Sequence, residues 1–248
     1  MIRIAAVADI HFGEDSAGML LSQFEGLREH ADVLLVAGDL TKRGGAEEGA
    51  VVARELAVVP VPVIAVLGNH DYHSDEQDSV RKCLEDAGVT VLEGERSVVE
   101  VDGVRLGVAG TKGFGGGFAG ACATDFGEPE MKAFVRHTMG FAERLEDQLR
   151  SLDGCDVRVA LLHYSPVRDT LAGERAEIFP FLGSYLLAEA IDHAGADLAI
   201  HGHAHAGVEK GVTPGGVLVR NVAQPVIKHA YNVYTFEASR VPAAEARA

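Results

Sequence analysis

The sequence predicts a mixed α/β fold with two β-sheets, and three patterns support this. Short apolar runs of strand length alternate with segments whose apolar residues have helical spacing. The runs are continuously apolar rather than alternating, which is typical of strands covered on both faces. The alternation breaks at a hairpin signal, Asp102-Gly103 between Val98–Val101 and Val104–Val108, and breaks again near the C-terminal end. A single parallel sheet is therefore not expected.

The apolar runs define the expected strands. Buried strands are predicted at Ile2–Ala8, Val33–Ala37, Val61–Leu67, Val157–Leu162 and Leu198–Ile200, and later strands at Val217–Val222 and Val233–Phe236.

Capping residues and helical spacing define the expected helices between these strands. A proline at a tolerated first-turn position opens the longest of them. Helices are predicted from Ser16 to His30, over Ala46–Val58, from Ser74 or Asp75 to near Gly88, and from Glu128-Pro129 to about Leu152.

Length and composition indicate one globular domain over residues 1–239, followed by a tail over residues 240–248. The net charge of −15 disfavours binding to nucleic acid or to an anionic membrane, but it allows a small anionic substrate. The three scattered cysteines suggest free thiols, and no apolar run approaches the ~18 residues that span a bilayer. A cytoplasmic location is expected, and the sequence leaves the oligomeric state open.

Polar residues with metal-binding side chains follow the predicted strands. Asp9, Asp39, Asn69, His163 and His203 each lie within a few residues of a strand end. The carboxyl ends of strands in open α/β sheets are where ligands bind, so these side chains are expected at one rim. Carboxylate, imidazole and amide ligands suit Mn, Fe, Zn, Co or Ni.

The polar residues form five short motifs in a fixed order. They are Asp9-x-His11, Gly38-Asp39, Gly68-Asn69-His70-Asp71, His163 and Gly202-His203-x-His205. Each motif alone is a common turn or a packed histidine. Together, from Asp9 to His205, they resemble the calcineurin-like metallophosphoesterases.

This resemblance implies a four-layer α-β-β-α sandwich of two facing mixed sheets flanked by helices. It also implies two divalent metal ions, with Mn or Fe favoured, and a bridging hydroxide as the nucleophile. The implied ligands are Asp9, His11 and His205 for the first metal, Asn69, His163 and His203 for the second, and Asp39 between them.

Catalytic and substrate-binding residues are also inferred. By resemblance, His70 is the general acid, and Asp71 is expected to orient its imidazole. Candidate substrate contacts are Arg43, Tyr72, His73, Lys112 and Asn221. The glycine-rich segment 112–120 is either a flexible lid that carries Lys112 or an ordinary surface loop.

The motif details favour one substrate class within the family. Its serine/threonine protein phosphatases have an aspartate where this chain has Lys42, and a glutamate where it has Asp71. The expected function is a phosphodiesterase that hydrolyses small phosphoesters. The alternatives are a phosphomonoesterase or nucleotide pyrophosphatase with the same metal site, and a non-enzymatic interaction scaffold.

Overall fold

The computed structural model describes residues 1–19, 23–24 and 26–237. The strands are β1 (Ile2–Val7), β2 (Val33–Ala37), β3 (Val63–Val66), β4 (Thr90–Val91), β5 (Glu95–Val101), β6 (Val104–Thr111), β7 (Gly117–Phe118), β8 (Ala121–Cys122), β9 (Val157–Leu162), β10 (Leu198–His201), β11 (Lys210–Val212), β12 (Leu218–Asn221) and β13 (Asn232–Phe236).

The helices are α1 (Leu27–His30), α2 (Ala46–Leu56), α3 (Gln77–Asp86), α4 (Pro129–Arg150), α5 (Phe179–Leu182), α6 (Tyr185–Ala194) and α7 (Gln224–Ile227). Short 3₁₀ turns lie at Glu14–Ser16, His70–Tyr72, Asp169–Leu171 and Ala176–Ile178. None of the helices in the described ranges combines the length and the apolar character needed to cross a membrane.

Two large sheets form the centre of the fold. The first has the order β13-β1-β2-β3-β4, with β13 antiparallel and the rest parallel. The second has the order β11-β12-β10-β9-β6-β5, with parallel pairs in the middle and an antiparallel pair at each edge. Both sheets are mixed, as predicted.

The side chains of β9 alternate between two cores, which shows how the layers stack. Val159 and Leu161 join the core that also contains the first sheet with α2 and α3. Ala160 and Leu162 point the other way, into the core formed with α4 and α6. The result is the expected sandwich of helices, sheet, sheet and helices.

The hairpin prediction is confirmed. β5 and β6 pair antiparallel, and Asp102 and Gly103 both have the positive φ, 50° and 76°, that a tight turn between them requires. The helix predicted from Ser16 to His30 is wrong over most of its described length, because only Leu27–His30 is α-helical. Gly18 and Gly26 have φ of 85° and 75°, which an α-helix cannot continue through. Residues 20–22 and 25 of that prediction, and the tail 240–248, lie outside the described residues.

Candidate metal centre

Most of the predicted ligands lie in loops that follow parallel strands and have unusual backbone geometry. Asp9, His11, Asp39 and His203 have φ between 47° and 69°, in the left-handed region. Backbone hydrogen bonds hold two of these loops together, from Asp9 N to Gly38 O (3.0 Å) and from His11 N to Asp39 O (3.1 Å). Such conformations cost about 1–3 kcal/mol each and cluster at functional sites.

The ligand atoms form two groups that share one residue. Atoms of Asp9, His11, Asp39 and His205 lie within 4.8 Å of one another, and so do atoms of Asp39, His163 and His203. The shared carboxylate of Asp39 is buried between them. A carboxylate common to two ligand groups is the arrangement that holds two cations close together.

Asn69 extends the second group. Its Oδ1 lies 2.9 Å from Nε2 of His163, which itself lies 3.3 Å from Oδ1 of Asp39. All seven residues that the sequence suggested as ligands therefore lie around one rim of the two sheets.

Two glycines allow the loops to approach each other this closely. A Cβ atom at Gly68 would collide with Oδ1 of Asp39, and one at Gly202 would collide with Oδ2 of Asp9. Only glycine fits at these positions, because the carboxylates occupy the space of a side chain. The two glycines therefore make room for the carboxylates of Asp9 and Asp39, which could both bind cations at this rim.

The hydrogen bonds of two histidines fix which ring nitrogen is available. Nδ1 of His163 lies 2.9 Å from Ala37 O, and Nε2 of His203 lies 3.2 Å from Phe181 O. A carbonyl only accepts, so these nitrogens donate, and the other nitrogen of each ring keeps its lone pair. This is the usual outer-shell arrangement of metal-binding histidines.

Burial shifts the pKa values of three of the predicted ligands. Burial lowers the pKa of His163 well below its usual value and that of His203 to about 3, so both rings are neutral. Burial also raises the pKa of the Asp9 carboxyl to about 6. Among the described residues, neither Asp9 nor Asp39 has a lysine or arginine as an ion-pair partner. Bound cations would supply the missing positive charge.

His70 lies beside the shared carboxylate. Its backbone N–H donates to Oδ1 of Asp39 (2.8 Å), and its Nδ1 donates to the carbonyl of Lys42 (2.8 Å). Its Nε2 is 4.0 Å from Oδ2 of Asp39, and the side chain is 44% exposed. The imidazole is thus fixed in orientation, next to the ligands and open to the cleft.

The predicted role of Asp71 as the group that orients His70 is wrong. The carboxylate of Asp71 is fully buried and accepts hydrogen bonds from Leu40 N, Thr41 N, Thr41 Oγ1 and Gly68 N at 2.5–3.2 Å. It joins the loop after β2 to the loop after β3. The residue that orients His70 is Lys42, through its backbone carbonyl, which a sequence motif does not reveal.

Two of the five candidate substrate contacts line a cavity next to His70. Arg43 and His73 form its wall together with Lys42, Asn69 and His70, and the cavity measures about 340 Å³. Arg43 therefore lines the same cavity as His70.

The other three candidates lie elsewhere. Asn221 is fully buried, and its side-chain amide bonds to Ala204 O (2.8 Å) and to Ala223 N (3.1 Å). Its predicted place in the pocket wall is therefore wrong, because the amide is used to hold the loop that carries His203 and His205. The hydroxyl of Tyr72 donates to Glu93 (2.7 Å).

Lys112 does not belong to an exposed lid. Its side chain is only 6% exposed, and Phe118 of the same glycine-rich segment is equally buried. The lid prediction for Lys112 is wrong, because aromatic rings enclose the side chain. Phe181 is a residue that the sequence did not suggest. It contacts His203 through a backbone carbonyl, for which no sequence signal exists.

The comparisons with known proteins agree with this geometry. The model of the calcineurin-like phosphoesterase family matches residues 2–207. The chain belongs to this family. Its members are metal-dependent phosphohydrolases, and the chain is accordingly a phosphoric ester hydrolase. No curated protein sequence matches the chain significantly.

Solved structures share the metallophosphoesterase fold at low sequence identity. Phosphopantetheinyl hydrolase (PptH) from Mycobacterium tuberculosis is 16% identical, with a TM-score of 0.68 over 96% of this chain and 98% of that one. TT1561 of Thermus thermophilus is 18% identical, with a TM-score of 0.52 over 89% and 88%. A putative 5′-nucleotidase from Staphylococcus aureus is 15% identical, with a TM-score of 0.56 over 89% of this chain and 48% of that one.

Proposed function

We propose that this metallophosphoesterase is a phosphodiesterase with two metal ions that hydrolyses small phosphoesters. The observation that carries the proposal is the buried carboxylate of Asp39, which is common to two groups of ligand atoms and lies beside His70. Two-metal phosphoryl-transfer sites have their cations about 3.5–4 Å apart, a spacing that a shared carboxylate favours.

The residues that would hold the metals form two sets that share Asp39. Asp9, His11 and His205 would hold the first ion, Asn69, His163 and His203 the second, and Asp39 both. When bound, the two cations would neutralise phosphate charge and lower the pKa of a water molecule. The nitrogen and oxygen donors suit Mn or Fe, which we propose as the metals.

The residues around the cations have distinct roles in this proposal. His70, held at Nδ1 by the Lys42 carbonyl, presents Nε2 to the cleft and would donate a proton to the leaving oxygen. The guanidinium of Arg43 would bind an ester or phosphate oxygen on the same side of the cleft.

The size of the cavity supports a diester substrate. At about 340 Å³ it lies within the usual range of ligand pockets and has room for an alcohol substituent beyond the phosphorus. Its wall also includes the side chain of His70, so the substituent that leaves would occupy this cavity. Because phosphopantetheinyl hydrolase has a similar fold, a phosphopantetheinyl ester belongs among the substrates to test.

The test combines metal content with turnover. The chelated protein is reconstituted with Mn, Fe, Zn, Co, Ni or Mg singly and assayed with bis-p-nitrophenyl phosphate and with p-nitrophenyl phosphate. We expect metal-dependent turnover that favours the diester. Preference for the monoester would favour a phosphomonoesterase, and turnover of nucleotide anhydrides alone would favour a nucleotide pyrophosphatase. Two bound metals without turnover of any phosphoester would favour an interaction scaffold.

A further inference from the structure

The side chain of Lys112 is buried and has no polar partner among the described residues. It is only 6% exposed, and among the described residues its Nζ makes no hydrogen bond or ion pair. The rings of Tyr72, Phe114, Phe141 and Tyr164 surround Nζ, with centroids at 4.7, 5.1, 5.3 and 5.5 Å. Cation–π attraction offsets part of the lost hydration but leaves the N–H donors of the ammonium unused.

The ammonium remains in contact with solvent. In the part of the chain that the structure describes, the fully enclosed side-chain polar atoms that lack a partner are Gln77 Oε1 and Thr111 Oγ1. Nζ of Lys112 also lacks a partner but is not one of these fully enclosed atoms, so it keeps a small exposed surface.

The nearby carboxylate of Glu93 is committed to other donors. It accepts hydrogen bonds from the hydroxyl of Tyr72 (2.7 Å) and from Leu67 N (3.1 Å). Glu93 therefore takes up none of the N–H donors of Lys112.

Lys112 lies between two loops of the metal centre. Its carbonyl accepts hydrogen bonds from His163 N (3.1 Å) and Tyr164 N (3.0 Å). The ring of Tyr164 lies 4.4 Å from the ring of His203 and 5.5 Å from Nζ of Lys112. One aromatic ring therefore separates the ammonium from a ligand of the proposed second metal.

A second basic side chain, that of Arg144, lies against the same aromatic ring as Lys112. The guanidinium of Arg144 lies 4.8 Å from the ring of Phe141, which also faces Lys112, and among the described residues it has no ion-pair partner. Two cations without carboxylate partners around one ring are notable in a chain with a net charge of −15.

We propose that Lys112, assisted by Arg144, forms a subsite for a second phosphate group of the substrate. This inference rests on the proposed function. It narrows the substrates to phosphoesters with a further phosphate, separated from the scissile phosphorus by about the width of the Tyr164 ring. The rings of Tyr72 and Tyr164 would pack against the part of the substrate that joins the two phosphates.

A matched pair of substrates tests the subsite. Thymidine 5′-(p-nitrophenyl phosphate) is compared with the same compound carrying a 3′-phosphate, so that the leaving group is identical. We expect wild type to prefer the 3′-phosphorylated compound in kcat/KM by ~10-fold or more, the usual effect of one charge-assisted hydrogen bond. The Lys112→Met variant should lose this preference, and Arg144→Gln should lose part of it. Lys82→Met, at an exposed lysine paired with Asp86, should keep it.

A binding measurement separates this inference from the proposed function. Calorimetry compares thymidine 3′,5′-bisphosphate with thymidine 5′-phosphate on the metal-loaded protein. Tighter binding of the bisphosphate that Lys112→Met abolishes supports the subsite even if neither diester is hydrolysed. Equal affinity for the two nucleotides in wild type would overturn it. An equal loss with both nucleotides in Lys112→Met, accompanied by loss of bound metal, would assign Lys112 a structural role and also overturn it.

Discussion

Asp39 is the residue on which the proposed two-metal site depends most. Its carboxylate is the component common to both ligand groups, and it also accepts the backbone N–H of His70. A change at this carboxylate would therefore affect both proposed metals and the proposed general acid together.

We expect Asp39→Asn to weaken binding of both metals by more than ~10-fold, because an amide supplies only one neutral acceptor oxygen. Metal content after dialysis, measured by elemental analysis, checks this. Asp86→Asn, at an exposed position on α3, is the control and should retain two metals. Two full equivalents of metal in the Asp39→Asn protein would contradict the bridging role.

His70 is expected to act on the leaving group rather than on the metals. His70→Ala should keep both metals but slow hydrolysis of alkyl esters by ~10²–10⁴-fold, and by less for aryl esters, whose leaving groups need little protonation. Rates over a series of leaving groups check this. His193→Ala, an exposed position at the end of α6, serves as the control. An equal loss for good and poor leaving groups would argue against the role of general acid.

The two ligand groups should respond differently to acid. A hydrogen bond with Asp9 raises the pKa of His205, whereas burial lowers the pKa of His11 in the same group and of His163 and His203 in the other. Protons therefore compete with metal at the His205 group first as the pH falls. We expect one metal to leave before the other between about pH 7 and pH 5, with pH-dependent dialysis as the measurement. Release of both metals in one step would contradict this difference.

At the scale of secondary-structure elements, the loops after β2 and β3 are joined by one buried carboxylate. Asp71 accepts hydrogen bonds from Leu40, Thr41 and Gly68, which places Asp39 and Asn69 next to each other. The motif that follows β3 therefore contains a proposed ligand, a proposed acid and a residue that joins the two loops.

Removal of that carboxylate should destabilise the fold. Asp71→Ala leaves several buried donors without partners, and we expect a loss of ~3 kcal/mol or more in the free energy of unfolding. Denaturant unfolding of the metal-free protein measures this without the contribution of bound metal. Asp86→Ala, which removes a carboxylate at the exposed end of α3, should change stability by less than ~1 kcal/mol. A loss below ~1 kcal/mol for Asp71→Ala would contradict the bracing role.

At the scale of the whole molecule, the proposed metal binding would stabilise the fold, because the predicted ligands meet at one rim of the two sheets. The predicted ligands come from loops after β1, β2, β3, β9 and β10, so that only the folded chain brings them together. A cation that binds the folded state alone stabilises it by about 2.7 kcal/mol at a hundredfold excess over its Kd.

Chelation should therefore lower the melting temperature. For a chain of this length we expect the melting temperature to fall by about 5–10 °C for each site that loses its metal. Addition of the metal that supports turnover should restore it. Differential scanning calorimetry with and without chelator checks this. A melting temperature that no divalent metal changes would count against the metal centre itself.

The sequence alone determined the strands that precede the motifs, the hairpin at Asp102-Gly103 and the residue types of the metal centre. These features are local, because strand-length apolar runs, turn residues and short motifs depend on neighbours along the chain. Only the tertiary structure decided what the polar groups contact. In the folded chain Asp71 joins two loops by hydrogen bonds, and a backbone carbonyl orients His70. Asn221 is buried behind the loop of His203 and His205, and aromatic rings surround Lys112. Each of these contacts joins residues from different elements, and hydrogen bonds of that kind are set by the packing of the sheets rather than by sequence spacing.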